Sequence, residues 1–327
     1  MEQLLHVKDL CVQYKTDDSL VHALNGFSLD IAKGETVGLV GETGAGKTTF
    51  ALSVLKLLPE DVGEITGGEI VYKDTDVIKA SRKEMRKLRG NEISMIFQDP
   101  MTALNPVLTV GEQIKEVLDL HFPDMDDAAK EKRVDEMLTL VGILPERKKQ
   151  FPHQFSGGMK QRVVIAIALV SEPMLLLADE PTTALDVTIQ AQILQIMKEL
   201  KEKMNSSMVF ITHDLGIVME FCDSVAVCYG GEVIERGTID EVYVRSANHP
   251  YTSGLFNCLP DSNIGAARLS PIPGNVLDPT VETKGCKFAD RCEHCTQRCR
   301  EEAPAMHLVG GTHSIKCHLF GEAGNVK

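Results

Sequence analysis

A glycine-rich segment constrains the fold of this 327-residue chain more than any other sequence feature. Residues Gly41–Thr48 read Gly-Glu-Thr-Gly-Ala-Gly-Lys-Thr and fit the pattern G-x-x-x-x-G-K-[ST]. The β-branched run Glu35–Val40 before this segment predicts a strand, and Thr48–Leu58 after it carries apolar residues at helical spacing. A strand, a glycine loop and a helix in this order predict the start of a parallel sheet, and therefore an α/β fold.

The glycine loop has the chemistry of a phosphate site. Its glycines let the backbone curl so that N–H groups point at phosphate oxygens, and the helix amino terminus adds the positive end of its dipole. We expect Lys47 to reach the β- and γ-phosphates and the Thr48 hydroxyl to bind Mg²⁺. The strand–loop–helix context disfavours the alternative, a chance glycine turn. The predicted contacts to the nucleotide are Gly41, Glu42, Thr43, Gly44, Ala45, Gly46, Lys47, Thr48 and Thr49.

The composition is that of a globular protein and argues against nucleic acid as a partner. Hydrophobic residues make up 43% of the chain and charged residues 25%. With 34 Lys and Arg against 47 Asp and Glu, the net charge is −13, so a bound anion needs a local site. The longest apolar run, Val163–Val170, is far shorter than the roughly 18–20 residues that span a bilayer, and the amino terminus lacks a signal-peptide pattern. We expect a cytosolic protein that touches a membrane only through partners.

Hydrophobic patterning organises the rest of the chain. Alternation over Leu5–Asp30 predicts antiparallel strands, and Asp99–Leu169 is mainly helical, which predicts a helical insertion in the α/β core. The basic stretch Arg82–Arg89 is typical of a solvated helix face, and Asp126–Val141 of a polar helix that ends at Gly142. Further predicted strands are Ile70–Val77, Ile93–Phe97, Met174–Ala178, Met208–Thr212 and Ser224–Val233.

The composition changes from Asn248 onward. Prolines and glycines become frequent there, and a group of cysteines follows. This pattern predicts a linker and a small loop-rich appendix that buries little core of its own. The predicted domains are therefore residues 1–247, with a helical subdomain at about 99–169, and residues 248–327.

Two acids stand at the end of a predicted buried strand, in Met174–Glu180. Ligands of parallel sheets bind at the carboxyl ends of the strands, so Asp179 would hold Mg²⁺ through water and Glu180 would act as general base on an attacking water. The alternative, acids that merely begin the next turn, is weak for a pair. His213 also follows a buried strand, where a lone histidine is more often a core residue.

Further motifs identify a family resemblance. Phe155–Arg162, Phe-Ser-Gly-Gly-Met-Lys-Gln-Arg, resembles the signature motif of ABC-type ATPases. Gln98 resembles the glutamine of the Q-loop, Ala184–Asp186 resembles the D-loop, and His213 resembles the switch histidine. Tyr14 is similar to the aromatic residue that stacks on adenine, with a core strand tyrosine as the alternative. The resemblance implies an ATPase that binds ATP and Mg²⁺, with a P-loop ABC-type core, an antiparallel β subdomain and a helical insertion.

The motifs follow the family order over about Leu5–Thr238, and the implied site is composite. In the family, two ATPase subunits close head to tail, and each ATP lies between one phosphate loop and the partner's signature motif. The resemblance implies that Ser156, Gly157 and Gly158 contact the γ-phosphate of the partner's ATP. It implies that the residues acting on this chain's own ATP are Lys47, Thr48, Gln98, Asp179, Glu180 and His213. Of these, the implied Mg²⁺ ligands are Thr48, Gln98 and Asp179.

The match narrows within that superfamily. Gln98–Pro106, His249–Thr252 and the cysteine-containing tail are similar to ATPase subunits of dipeptide/oligopeptide importers and their nickel-importing relatives. The signature Phe-Ser-Gly-Gly-Met resembles that of the D member of paired D/F subunits. The resemblance implies a peripheral subunit at the cytoplasmic face of the membrane, whose helical insertion and Met101–Gly111 dock on permeases.

The implied partners are an F-type paralogue as second ATPase, two transmembrane permease subunits and an extracytoplasmic substrate-binding protein. Peptide import is the leading interpretation and nickel import is its nearest alternative. A soluble ABC ATPase that acts on DNA or ribosomes would predict a basic face or a coiled-coil insertion, and the sequence shows neither. A regulatory module with an idle ATP site conflicts with the presence of both Glu180 and His213.

The cysteines form two groups. Cys11, Cys222, Cys228 and Cys258 are scattered through apolar stretches and are interpreted as inert thiols. The other five lie in the tail with the spacing Cys286-x5-Cys292-x2-Cys295-x3-Cys299-x17-Cys317, which in a reducing compartment indicates metal. Four thiolates can hold Zn²⁺ or an iron–sulfur cluster, and His294, His313 and His318 are alternative ligands. The family pattern matches Cys286, Cys292, Cys299 and Cys317 and implies a [4Fe–4S] cluster, with Cys295 as a substitute ligand.

Overall fold

The computed structural model describes residues 2–183, 185–244, 247–259 and 271–321. Ala184 of the expected D-loop and Pro260 of the proline-rich stretch lie outside these residues. The strands are β1 (Gln3–Lys15), β2 (Leu20–Ala32), β3 (Thr36–Val40), β4 (Gly63–Tyr72), β5 (Thr75–Asp76), β6 (Ile93–Ile96), β7 (Leu175–Asp179), β8 (Ser207–Thr212), β9 (Ser224–Tyr229), β10 (Glu232–Thr238), β11 (Met306–Gly310) and β12 (His313–Lys316). The helices are α1 (Lys47–Val54), α2 (Arg82–Leu88), α3 (Pro100–Ala103), α4 (Val110–His121), α5 (Asp127–Leu140), α6 (Gly157–Leu169), α7 (Val187–Met204), α8 (Leu215–Phe221), α9 (Ile239–Val244), α10 (Pro250–Asn257) and α11 (Gln297–Glu301).

The chain divides into two compact units. The helical unit consists mainly of Lys79–Ile211, joined by the short segment Ala32–Glu35. The phosphate-loop unit contains Gln3–Ile31, Thr36–Ile78 and the described part of Thr212–Lys327. The tail therefore groups with the glycine loop. Within the described residues, no helix is both long enough and apolar enough to cross a bilayer.

The helical unit contains parallel strands in the order β8-β7-β6. Every residue of β7 is buried, which is typical of a parallel strand that is covered on both faces. Helix α5 begins after Asp126, whose side chain caps it, and Gly142 follows its end with φ +74°, as predicted. The apolar faces of α4, α5 and α6 bury Ile114, Met137 and Ile165. The region 99–169 is mainly helical, as the sequence predicts.

The phosphate-loop unit contains two groups of strands. One has the order β2-β1-β4-β5, in which β1 with β4 and β4 with β5 are antiparallel. The other has the order β11-β12-β10-β9-β3, in which β3 and β9 are parallel and the remaining pairs are antiparallel. The tail strands β12 and β11 thus belong to the same sheet as β3, the strand before the glycine loop.

Two predicted strands are wrong because each contains a turn. Ser224–Val233 divides into β9 and the start of β10, joined by Gly230 and Gly231 at φ +57° and +80°. Consecutive left-handed residues form the tight turn of a hairpin, and glycine adopts this conformation without strain. Ile70–Val77 likewise divides between β4 and β5 at Lys73, where φ is +50°.

Helix α1 is shorter than the predicted Thr48–Leu58. It ends at Val54, and Lys56 then takes a left-handed conformation with φ +51°. The Lys56 N–H donates to the Ser53 carbonyl and the Leu57 N–H to the Leu52 carbonyl, at 2.9 and 2.8 Å. This pair of bonds is a Schellman motif, which closes the helix before Pro59 is reached.

Candidate nucleotide site and cysteine pocket

The glycine loop connects β3 to α1 in the phosphate-loop unit, as predicted. Lys47, the first residue of α1, is 7% exposed. Its Nζ donates to the Gly41 carbonyl at 2.6 Å and to the Glu42 carbonyl at 3.1 Å, so the loop curls around this ammonium group. Thr48 is exposed in the first turn of the helix. A strand end, a curled loop and a helix amino terminus are thus assembled as a phosphate site requires.

The loop requires glycine at position 46 for two reasons. Gly46 has φ +95°, which L-amino acids with side chains rarely adopt. A Cβ atom at this position would also lie 2.7 Å from the Ala23 carbonyl oxygen and 2.6 Å from Leu24 Cδ2. Gly44 has a similar φ of +84°, but no atom lies within 4 Å of the corresponding Cβ position.

These two glycines give a matched test of loop packing. Gly44→Ala should destabilise the protein by about 1 kcal/mol through backbone strain alone. Gly46→Ala adds a collision with backbone, so its loss in free energy of unfolding should be at least about twice as large, and nucleotide binding should weaken with it. Chemical denaturation of both variants measures the difference. Equal stabilities for the two variants would contradict this account of the loop.

Two other predicted site residues, Tyr14 and His213, belong to this unit. The Tyr14 hydroxyl donates to Thr49 Oγ1 at 3.2 Å, so the end of β1 contacts helix α1. Tyr14 is half-buried rather than a fully buried core residue. His213 is exposed, directly before Asp214, whose carboxylate caps α8. The candidate switch histidine is therefore accessible to a ligand.

The helical unit holds the acidic pair and the candidate Q-loop residue. Asp179 ends β7 and is 2% exposed. Glu180 follows with φ +45°, an uncommon conformation for a residue with a side chain. Its Oε2 accepts hydrogen bonds from Gln98 Nε2 at 3.1 Å and from Thr183 Oγ1 at 2.9 Å. The structure thus brings Gln98 and Glu180 together and fixes the carboxylate in place.

The signature segment begins α6 in the same unit. Ser156 is the N-cap of this helix, and its hydroxyl accepts from the Met159 N–H at 3.4 Å. Ser156 and Gly157 are exposed, and no atom lies within 4 Å of a Cβ built on Gly157. A Cβ on Gly158 would lie 2.6 Å from Ile189 Cγ2. At Ser156 and Gly157 the helix amino terminus therefore presents a polar, uncrowded surface to which an anion can bind.

Arg147 contacts Phe155 and Met159, the first and last residues of the signature Phe-Ser-Gly-Gly-Met. The Arg147 guanidinium lies over the Phe155 ring at 4.5 Å from its centroid, and Phe155 is buried. Arg147 Nη1 also lies 3.2 Å from Met159 Sδ. The aromatic ring and the thioether thus pack against one cation, which keeps the start of α6 in place.

Four tail cysteines line one pocket in the phosphate-loop unit. Cys286, Cys292, Cys299 and Cys317 contribute to its walls, together with His294 and His318. Burial raises the pKa of the Cys286 thiol to about 12 and of Cys317 to about 11, and raises the pKa of Cys292 as well. None of the nine cysteines forms a disulfide bond. The four cysteines of the expected ligand set therefore share one site, and thiolate formation there needs a compensating cation.

The structure does not show a metal centre. Among the residues it describes, no three His, Cys, Asp or Glu side chains are arranged to hold a metal ion. Cys295 is not among the described residues that line the cysteine pocket. Its Sγ lies 3.6 Å from the Thr296 carbonyl oxygen. His313 is fully buried, and its Nε2 lies 2.7 Å from Glu235 Oε1 instead of in the pocket.

Two contacts to the glycine loop were not predicted from the sequence. The Glu42 N–H donates to Tyr251 Oη at 2.9 Å, and the Glu42 carboxylate pairs with Arg291. A carboxylate inside a phosphate site is a signal that a cation should lie nearby, because it would otherwise repel the ligand. The sequence does not indicate which of the 34 Lys and Arg residues that cation is.

Two family models match the chain. A model described as "ABC transporter" matches residues 24–183. A second, described as "Oligopeptide/dipeptide transporter, C-terminal region", matches residues 234–299. The two matches cover the glycine loop with the acidic pair, and most of the tail.

Similar proteins extend this match along almost the whole chain. The oligopeptide transport ATP-binding protein OppD of Bacillus subtilis is 49% identical, over 97% of this chain and 89% of its own. The dipeptide transport ATP-binding protein DppD of the same organism is 48% identical, over 98% and 95%. Among solved structures, the dimeric ATP-binding cassette MJ0796 in a post-hydrolysis state with ADP and Pi has a TM-score of 0.65 and 30% identity, over 72% of this chain and 98% of its own. CbiO1 of Clostridium perfringens, part of an ABC transporter complex, has a TM-score of 0.65 and 31% identity, over 75% and 92%.

Proposed function

Since the chain belongs to the family of ATP-binding proteins of ABC peptide transporters, we propose that it powers the import of di- and oligopeptides by hydrolysing ATP. The observation that carries this proposal is the similarity of the whole chain, tail included, to peptide-transport ATP-binding proteins. ATPase activity follows from the cassette itself, and the peptide cargo follows from the relatives.

The roles of the individual residues are part of the proposal. Lys47 and the backbone of Gly41–Thr49 bind the phosphates, and Tyr14 stacks on adenine. Thr48, Gln98 and Asp179 hold Mg²⁺. Glu180 polarises the attacking water, and its fixed carboxylate supports this role. His213 acts on the γ-phosphate, and its exposure supports this role.

The signature motif acts on the ATP of a second ATPase subunit, an F-type paralogue that docks head to tail. The exposed amino terminus of α6 supports this, because its N–H groups and the Ser156 hydroxyl can donate to phosphate oxygens. Each ATP then bridges two subunits, so ATP binding favours the closed dimer. ATP hydrolysis removes this bridge and allows the dimer to open. This cycle converts chemical energy into a change of shape.

Three exposed apolar side chains of the helical unit support docking on two permease subunits at the cytoplasmic face of the membrane. Val107 is 75% exposed, Leu120 70% and Leu144 69%. The buried Gln113 side chain fixes the loop that carries Val107. It forms hydrogen bonds with the Asn105 backbone and with the Leu108 carbonyl. A rigid loop with an exposed apolar side chain is well suited to insert into a partner. An extracytoplasmic substrate-binding protein completes the proposed complex.

The tail pocket is proposed to hold a [4Fe–4S] cluster on Cys286, Cys292, Cys299 and Cys317. The supporting observation is that these four cysteines line one pocket, whereas Cys295 lies apart from its walls within the described chain. Four thiolates can also hold a single zinc ion with sulfur atoms at about 2.3 Å, which is the alternative occupant of this pocket. A polynuclear cluster separates its thiolates by its own width and so accepts a wider ligand set. Its role is to cross-link a tail, residues 248–327, that buries little core of its own.

Uptake by cells tests the proposed cargo. Deletion of the gene should abolish ATP-dependent uptake of labelled di- or oligopeptides, and the wild-type chain should restore it. A Lys47→Ala chain should fail to restore it, because the phosphates lose their ammonium partner. Restored uptake of Ni²⁺ with no effect on peptides would replace the peptide proposal with nickel import.

A further inference from the structure

Arg291 is a charged residue that the fold buries beside the glycine loop. It ends the short 3-10 turn Ala289–Arg291 in the tail, and its side chain is only 5% exposed. Its Nη1 donates to Glu42 Oε2 at 2.6 Å and its Nη2 to Glu42 Oε1 at 3.1 Å. This is a bidentate pair between residues that are 249 positions apart in sequence.

Other groups of the same unit orient the Arg291 guanidinium. Its Nε donates to the Pro273 carbonyl at 3.0 Å, and its Nη1 lies 3.4 Å from Tyr229 Oη. The guanidinium lies 5.7 Å from the centroid of the Tyr229 ring and 5.8 Å from that of Phe288. These contacts hold the guanidinium group in the orientation in which it pairs with Glu42. The ion pair is therefore preorganised by its surroundings, unlike the flexible ion pairs of a protein surface.

Glu42 is in turn fixed at three places. Its carboxylate binds Arg291, its N–H donates to Tyr251 Oη at 2.9 Å, and its carbonyl accepts from Lys47 Nζ. Tyr251 is fully buried and belongs to the tail, as Arg291 does. Two tail residues thus set the position of the residue from which the glycine loop begins to curl.

The charge of Glu42 gives the pair a second role. A carboxylate next to a phosphate-binding backbone would repel a nucleotide, since like charges at short range in a partly buried site oppose binding. Glu42 is 27% exposed, and the bidentate guanidinium neutralises it.

We propose that Arg291 is a positioning residue for nucleotide binding, through which the C-terminal tail orients and neutralises Glu42 in the phosphate loop. This inference rests on the proposed function, because it takes the glycine loop as the ATP site. It adds to that function a dependence of nucleotide affinity on the tail. We expect the effect on affinity rather than on the chemical step, because Arg291 acts on the glycine loop through Glu42.

Arg291→Lys tests this in the full-length chain. Lysine keeps the positive charge but cannot form the bidentate pair, so the Kd for a fluorescent ADP analogue should rise by about tenfold. In the transport complex, KM for ATP should rise to a similar extent, with kcat within about twofold of wild type. Because the two residues act as one unit, Arg291→Lys combined with Glu42→Gln should bind no more weakly than the weaker single variant.

Arg300→Lys is the matched control. Arg300 lies in the same tail, and its exposed guanidinium pairs with Asp290 instead of with the loop. This variant should keep the wild-type Kd. Thermal unfolding without nucleotide shows whether each variant is folded, and Tyr251→Phe provides a second test, since it removes only the hydroxyl that accepts from Glu42.

The outcomes separate the two proposals. A folded Arg291→Lys or Tyr251→Phe chain with wild-type Kd overturns the role of the tail and leaves the ATPase function intact. A loss of kcat without a change in Kd also overturns it. A wild-type chain that binds no nucleotide overturns the proposed function itself.

Discussion

Glu180→Gln should reduce kcat for ATP hydrolysis by about 10²- to 10⁴-fold, the usual contribution of a general base. The carboxylate lies at the end of a buried strand and is held by Gln98 and Thr183 at 3.1 and 2.9 Å. Glutamine has almost the same size and keeps the backbone position, but it cannot accept a proton from water. ATP affinity should therefore stay near the wild-type value, because the substitution leaves the proposed phosphate contacts of Lys47 unchanged. Single-turnover hydrolysis and nucleotide titration of the transport complex measure both quantities.

Glu172→Gln is the matched control for this variant. Glu172 is also a glutamate with positive φ, at +56°, in the same helical unit, and its carboxylate pairs with Arg133 at 2.5 Å. It lies outside the motifs, so its kcat should remain within about twofold of wild type. A Glu180→Gln complex that hydrolyses ATP at the wild-type rate would remove Glu180 from the catalytic role.

Cys299→Ser together with Cys317→Ser should remove the iron of the proposed tail cluster. Anaerobically purified wild-type protein should contain about four irons per chain with broad visible absorption, and the double variant should lose both. Loss of the cluster should lower the melting temperature, because metal binding supplies folding free energy to segments with little core. Iron analysis, absorption and thermal unfolding give the three readouts.

Cys295→Ser is the control in the same segment. Its Sγ lies near the Thr296 carbonyl, and among the described residues it is not found in the pocket walls, so this variant should keep its iron. One zinc ion per wild-type chain without colour would contradict the cluster. Loss of iron in Cys295→Ser would show that Cys295 replaces one of the four proposed ligands.

Local patterns predict much of the fold and of the candidate site. The loop Gly41–Thr48 is recognisable because its function depends on backbone conformation, which glycine positions and a strand–helix context reveal in one dimension. The end of α5 is equally local, since Asp126 and Gly142 cap it through neighbouring residues. The left-handed conformations of Lys56 and Lys73 are harder to predict, because lysine is not typical of turns. The elements predicted there, Thr48–Leu58 and Ile70–Val77, are therefore too long.

Contacts between distant segments are outside the reach of such patterns. Arg291 and Glu42 have no periodicity or motif in common, and only the folded chain brings them together. His313 illustrates the same limit. The sequence offers it as a metal ligand, whereas in the structure it is paired with Glu235, another fully buried residue, 78 positions away. Both side chains are shielded from solvent, which the sequence alone does not reveal.

The most direct test of peptide-coupled ATP hydrolysis is the ATPase rate of the reconstituted transport complex, with and without peptide-loaded substrate-binding protein. We predict that loaded binding protein raises the rate, and that Lys47→Ala in this chain abolishes the increase. An ATPase rate that does not respond to any di- or oligopeptide would contradict the account.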